Sequence, residues 1–123
     1  MTNPTIFQIS LKTVSESNCT ENWRSKSKRH KIQKNAVNIF FTSHDFKINM
    51  PCHVILTRIS PRKLDEGDNL PASFKYIRDA VAENITGDIR AGRADGDSRI
   101  TWEYSQRRGE PKTHMIQIEI IEK

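Results

Sequence analysis

Three carboxylates fall within four positions of Leu64-Asp65-Glu66-Gly67-Asp68-Asn69-Leu70. Like charges this close repel, so a fold that gathers them needs a compensating cation. Mg²⁺ suits the role, because it takes hard oxygen ligands and usually rests on one or two carboxylates. A second acidic pair follows at Asp95-Gly96-Asp97. Phosphodiester hydrolysis needs an activated water and a stabilised leaving oxygen, and a carboxylate-bound Mg²⁺ supplies both. The cations are gathered elsewhere: Arg24, Lys26, Lys28, Arg29, Lys31 and Lys34 crowd one stretch with only Glu21 beside them. An ordinary exposed helix mixes its signs. This lopsided run reads instead as a surface for phosphates, bound with salt-sensitive affinity.

The whole chain is basic, with a net charge of +5 over 123 residues. That length predicts one domain, residues 1–123, with a core of its own. The charge favours a polyanionic partner, nucleic acid being the commonest. Cys19 and Cys52 are far apart and fit no metal or CxxC spacing, which suggests a reducing, cytosolic setting and inert thiols. His30, His44, His53 and His114 likewise show no ligand spacing. No apolar run has the length of a signal peptide or a bilayer span, so no membrane association is expected.

The elements that must position these groups follow from periodicity. Phe7, Ile9 and Leu11 alternate with polar residues as a half-buried strand. A helix is predicted to start near Thr20 and Trp23, with Trp23 as a core anchor and Ile32, Ala36, Ile39 and Phe40 facing inward. His53 to Ile59 reads as a buried strand that ends at Ser60-Pro61. Leu70, Phe74, Ile77, Val81 and Ile85 form the clearest helical stripe, with Gly87 as its stop. A loop from Asp88 to Ser98 follows. Ile100, Trp102 and Tyr104 alternate with polar residues, residues 107–112 turn the chain, and Ile116, Ile118 and Ile120 alternate on the return, which predicts a hairpin. The order β-α-β-α-β-β predicts an α/β (α+β) fold with a single mixed sheet and two main helices.

Asp68-Asn69-Leu70 opening a helix, with acidic residues just upstream and Asp95-Gly96-Asp97-Ser98-Arg99-Ile100-Thr101-Trp102-Glu103-Tyr104 downstream, resembles the RusA-like family of phage and prophage Holliday junction resolvases. The resemblance covers roughly Ile55 to the C-terminus, with a weaker match in the basic helix. It implies a small Mg²⁺-dependent endonuclease that cuts branched DNA as a homodimer in the cytoplasm of a bacterial host. A dimer offers two sites for two symmetric cuts across a four-way junction. Asp68 matches the aspartate before Asn-Leu, and Asp97 the downstream aspartate. For the first aspartate of the family pair, spacing selects Glu66 and residue type selects Asp65. The family's helix often carries a lysine one turn after the aspartate, where this chain has Ala72. Lys75, two turns along, is the substitute expected to reach a phosphate.

Plainer roles stand beside these. Asp68 or Asn69 serves as a helix cap, with Pro71 suited to a first turn. Asp97 serves as a turn residue between Gly96 and Ser98. The altered acidic spacing and the missing helix lysine also fit a non-catalytic relative that binds structured DNA. A further rival is an interaction protein whose basic helix meets an acidic partner.

Overall fold

The structure, a computed structural model, describes residues 4–14, 22–44, 47–64, 69–88 and 94–123, apart from the Asp95 side chain. Its strands are β1 (Thr5–Ser10), β2 (Cys52–Ser60), β3 (Ile100–Arg108) and β4 (Met115–Glu122), and its helices α1 (Trp23–His44), α2 (Asn69–Ser73) and α3 (Lys75–Thr86). The strands form one mixed sheet in the order β1-β4-β2-β3. β4 is antiparallel to both β1 and β2, and β2 is parallel to β3. This is the expected α+β architecture, with α1 and α3 as the two main helices.

Alternation along the strands sets the core. Cys52, Val54 and Leu56 of β2 are buried, as are Ile116, Ile118 and Ile120 of β4 and Phe7 and Ile9 of β1. Period-two spacing puts each set on one face of its strand. The pairing aligns them: Val54 lies opposite Ile120, Leu56 opposite Ile118, and Phe7 also opposite Ile118. The stripe Leu70, Phe74, Ile77, Val81 and Ile85 closes the core from α2 and α3, each residue no more than 9 % exposed. Gly87 stops α3 in the left-handed conformation, φ 76°, with its N–H donated to the Glu83 carbonyl at 2.9 Å. Among the described residues no helix is long and apolar enough to cross a membrane.

Three local expectations are corrected. First, α2 and α3 are not one helix. Phe74 separates them, and the Ser73 hydroxyl donates to the Leu70 carbonyl at 2.7 Å, a side-chain bond that competes with the helix ladder. The apolar stripe nevertheless continues across the break.

Second, α1 presents a different face. Its N-terminus is capped by Asn22, whose Oδ1 accepts the Ser25 N–H at 3.0 Å; Thr20 lies outside the described residues. Val37 and Phe41 are buried and Phe40 packs on the core, while Ile32 and Ile39 are 50 % and 63 % exposed. Phe7 helps to set the rotation, together with the α1–α3 contacts described below: Phe40 stacks on it at 4.7 Å and Phe41 meets it edge-on at 5.7 Å. Aromatic pairs carry more area and more specific geometry than a single Ile. Turning both rings inward places Ile39, 100° and 200° away around the helix, outward. Trp23 is not a core anchor; it is 73 % exposed, with the Arg24 guanidinium 5.6 Å from its ring centroid.

Third, β3 and β4 are not a hairpin, because β2 lies between them. The connection crosses the end of β2, where the Gly109 N–H donates to the Ser60 carbonyl at 2.9 Å. A side chain at 109 would place its Cβ 3.0 Å from Ile59 Cγ2, so glycine permits the close pass. β3, with Thr101, Glu103 and Ser105 on one face, suits a sheet edge. The more apolar β4 takes an interior position with a neighbour on each side.

Candidate nucleic-acid interface

One end of the sheet gathers the ends of three strands and the start of the fourth. Ser10 and Ile59 both lie opposite Met115, and Ser60 lies opposite Arg108. Lys12 therefore follows β1, Arg62 and Lys63 follow β2, Arg108 closes β3 and His114 precedes β4, all at this end. Three depressions open there. One of about 450 Å³ lies between the strand end and α1, lined by Leu11, Lys12, Ser25, Lys28, Arg29, Ile32 and Gln33. A second of about 300 Å³ is lined by Lys12, Arg58, Ser60, Pro61, Arg62 and His114. A third of about 480 Å³ is lined by Pro61, Arg62, Lys63 and Arg108. Lys12 belongs to the first two, and Pro61 and Arg62 to the last two, so the three form one continuous basic edge. Among the described residues that line it there is no carboxylate.

The predicted α1 cations divide between two tasks. Arg24, Lys28 and Lys31 are exposed and recur at i, i+4, i+7, which places them on one outward stripe. Arg29 and Lys28 face the edge described above, and Lys26 is half-buried. Lys34 instead donates to Glu83 Oε1 at 3.1 Å and ties α1 to α3. Two more contacts continue that seam, His30 stacked on Tyr76 and the Asn84 amide donated to Asn38 Oδ1 at 2.7 Å.

Asp65, Glu66 and Asp68 lie outside the described residues. The residues flanking them are held firmly. Leu64 donates its N–H to Gln106 Oε1 at 2.8 Å and accepts from Gln106 Nε2 at 2.7 Å. On the other side Asn69 begins α2. Lys75 is exposed and lines a further depression of about 400 Å³ with Pro71, Ala72, Arg78 and Tyr104. Arg78 is fixed there by a 2.7 Å bond to the Tyr104 hydroxyl and by the Trp102 face 4.7 Å away. Lys63 and Lys75 therefore stand on the two described sides of the acidic segment. Trp102 and Tyr104 pack against the core, as their alternation implied.

Asp97 is engaged otherwise. Its Oδ1 accepts the backbone N–H of Arg99 at 2.9 Å and the Arg99 Nε at 3.0 Å, while Oδ2 accepts an Arg99 terminal nitrogen at 2.7 Å. The Arg99 side-chain bonds, then its backbone N–H, hold the carboxyl down to about 2. The turn role anticipated for Asp97 is thus present. Asp97 sits before Ile100, which pairs with Cys52 at the far end of the sheet from Leu64 and Gln106. The six residue-to-residue steps of strand from Ile100 to Gln106 span roughly 20 Å. Among the described residues no three His, Cys, Asp or Glu side chains form a metal-binding group. Cys52 is buried, and that burial is the main reason its thiol is pushed up, so it is a poor nucleophile. Cys19 lies outside the described residues.

Lys12, Arg58, Arg62, Lys63, Arg108 and His114 were not singled out from the sequence as a group. They are scattered over about a hundred residues, and only the strand ends bring them together. No protein-family model matches the sequence, and no curated protein matches it either.

Proposed function

We propose that the protein is a Mg²⁺-dependent endonuclease that binds and cuts branched DNA, acting as a homodimer within a phage- or prophage-carrying bacterial cell. The observation that supports the reading best is the uninterrupted basic edge. It runs from α1 across the strand ends to Lys63, where the chain enters the segment carrying Asp65, Glu66 and Asp68. Cations with no carboxylate between them among the described residues suit a phosphate backbone, and their number makes binding salt-dependent. Lys28, Lys31 and Arg62 hold flanking phosphates. Lys75 and Arg78 hold the phosphate nearest the acidic segment, and the Tyr104 bond keeps the Arg78 fork in place.

The donor set of the acidic segment is all carboxylate, which fits a hard cation such as Mg²⁺ rather than a metal that seeks thiolate or imidazole. Asp68 with Glu66 or Asp65 would hold the ion. Bound there, Mg²⁺ supplies a water of lowered pKa and neutralises charge on the phosphate. Asp97 is remote from Leu64 within one chain and paired with Arg99, so in this reading it joins the metal set only from the second copy of the homodimer. Asp68→Asn should abolish cleavage and leave four-way junction binding within a few-fold of the unaltered chain. Cleavage that survives in the purified variant rules out the role given to Asp68.

The bidentate hold of Arg99 on Asp97 favours a second reading, a non-catalytic relative that binds structured DNA. Such a protein prefers a four-way junction over linear duplex in competition but nicks neither in Mg²⁺ or Mn²⁺.

A further inference from the structure

Every second residue of β2 faces the helices, in the order Cys52, Val54, Leu56, Arg58 and Ser60. The first three belong to the apolar core. Arg58 continues the row and is only 7 % exposed, as buried as its neighbour Ile59 at 6 %. Its described partners are neutral: Nε donates to Thr13 Oγ1 at 3.2 Å and one terminal nitrogen donates to the Arg62 carbonyl at 2.6 Å. Burial pushes its pKa down from the ordinary arginine value, with no opposite charge among the described residues offsetting it. A guanidinium carries five N–H donors in a planar fork that matches phosphate geometry, and these two bonds leave several unused. A buried charge without a counter-charge is costly, which makes Arg58 the least compensated cation among the described core residues.

Arg58 is buried beside a built cavity. The depression of about 300 Å³ next to it is also lined by Lys12, Ser60, Arg62 and His114, and by no carboxylate among the described residues. The Ser60 hydroxyl and His114 Nδ1 lie 3.1 Å apart, which orients both at its wall. Leu11 N–H donates to the His114 carbonyl at 3.2 Å and holds that wall against the segment after β1 that carries Lys12. The depression thus combines a rigid fork, two flexible cations, a hydroxyl and an imidazole, and it lies midway along the basic edge.

We propose that this depression is a phosphate-binding site in which Arg58 is the fixed donor and Lys12 and Arg62 close over the ligand. The phosphate is carried by a DNA strand or by a free phosphate compound. The choice of a DNA strand rests on the function proposed above, whereas the site itself does not.

Inorganic phosphate is the probe. Titrated at millimolar concentration into the unaltered chain, it should shift the Arg58 Nε–H resonance and raise Tm, as any ligand of the folded state does. Loss of a charge-assisted contact weakens binding roughly 10- to 100-fold. Arg58→Met should therefore lose the phosphate-dependent rise in Tm. Arg58→Lys, which keeps the charge without the fork, should retain part of it. An Arg58 resonance that does not move, or a phosphate effect that persists in Arg58→Met, overturns the proposal. The resonance is read on the native chain, so a variant that fails to fold does not rescue the idea. Four-way junction DNA is the second arm. If it displaces the inorganic phosphate, the carrier is a nucleic-acid strand; if both bind together, the carrier is a free phosphate compound. Neither arm requires cleavage, so the site can stand or fall apart from the nuclease.

Discussion

Gln33 offers a direct test of how α1 is seated. Its side chain is fully buried beside Val37 and Phe41, yet neither Oε1 nor Nε2 has a hydrogen-bond partner among the described residues. Each buried polar atom left unpaired costs about 1–3 kcal/mol, and a shape-matched apolar replacement removes that cost. Met has nearly the length of Gln and adapts to irregular surroundings. Allowing for imperfect packing, Gln33→Met should stabilise the fold by about 2 kcal/mol. At an unfolding entropy near 2.1 cal/mol/K per residue, the 123-residue chain should gain about 8 °C in Tm. Urea denaturation should show a higher midpoint with an unchanged slope, the sign of altered stability rather than altered compactness. A loss of 1 kcal/mol or more would mean that the amide is satisfied in solution, and the rotation of α1 would need revision.

Other consequences concern charge and the strand crossing. Lys31→Ala should lower the slope of junction affinity against salt by about 1, whereas Lys34→Ala should leave the slope alone and cost about 0.5 kcal/mol through Glu83. Equal slopes for both variants would contradict the division of α1. Asp97 titrates at about 2 in the folded chain against an ordinary 3.8. Its contribution to stability is thus present above pH 3.8 and disappears as pH falls through 2. Carboxyl-carbon NMR should find that midpoint, and Arg99→Gln should move it upward; a native midpoint near 4 would deny the pair. Gly109→Val should destabilise by about 1–3 kcal/mol in urea, because the side chain meets Ile59, and an unchanged midpoint would mean the crossing is roomier than described. Mixing Asp68→Asn with Asp97→Asn chains should restore part of the cleavage if Asp97 acts across the dimer; no recovery would put Asp97 outside the site.

The parts of the fold visible in advance were those with one dominant period. The stripe from Leu70 to Ile85 and the β-branched run of β2 had no competing arrangement. α1 was harder, because Ile32, Ile39, Phe40 and Phe41 lie around more than half of its circumference. Contacts from other elements, the ring of Phe7 and the seam with α3, select which of them turn inward. Alternation in β3 and β4 showed which faces are apolar but carried no information about strand neighbours, so the short connection suggested a hairpin where the chain in fact steps over β2. The site divides in the same way. Asp65, Glu66, Asp68 and the α1 cations are local clusters and stand out in a linear reading. Arg58 was hidden within an apolar strand, and Lys12, Arg62 and His114 gain meaning only where three strands meet.

The proposed activity is Mg²⁺-dependent cleavage of branched DNA. The most direct measurement uses a strand-labelled synthetic four-way junction, incubated with and without Mg²⁺ beside a linear duplex. A nuclease of this kind should leave paired nicks near the crossover that require Mg²⁺, are absent from the duplex and vanish in Asp68→Asn. Tight junction binding with no nick in either Mg²⁺ or Mn²⁺ would contradict it.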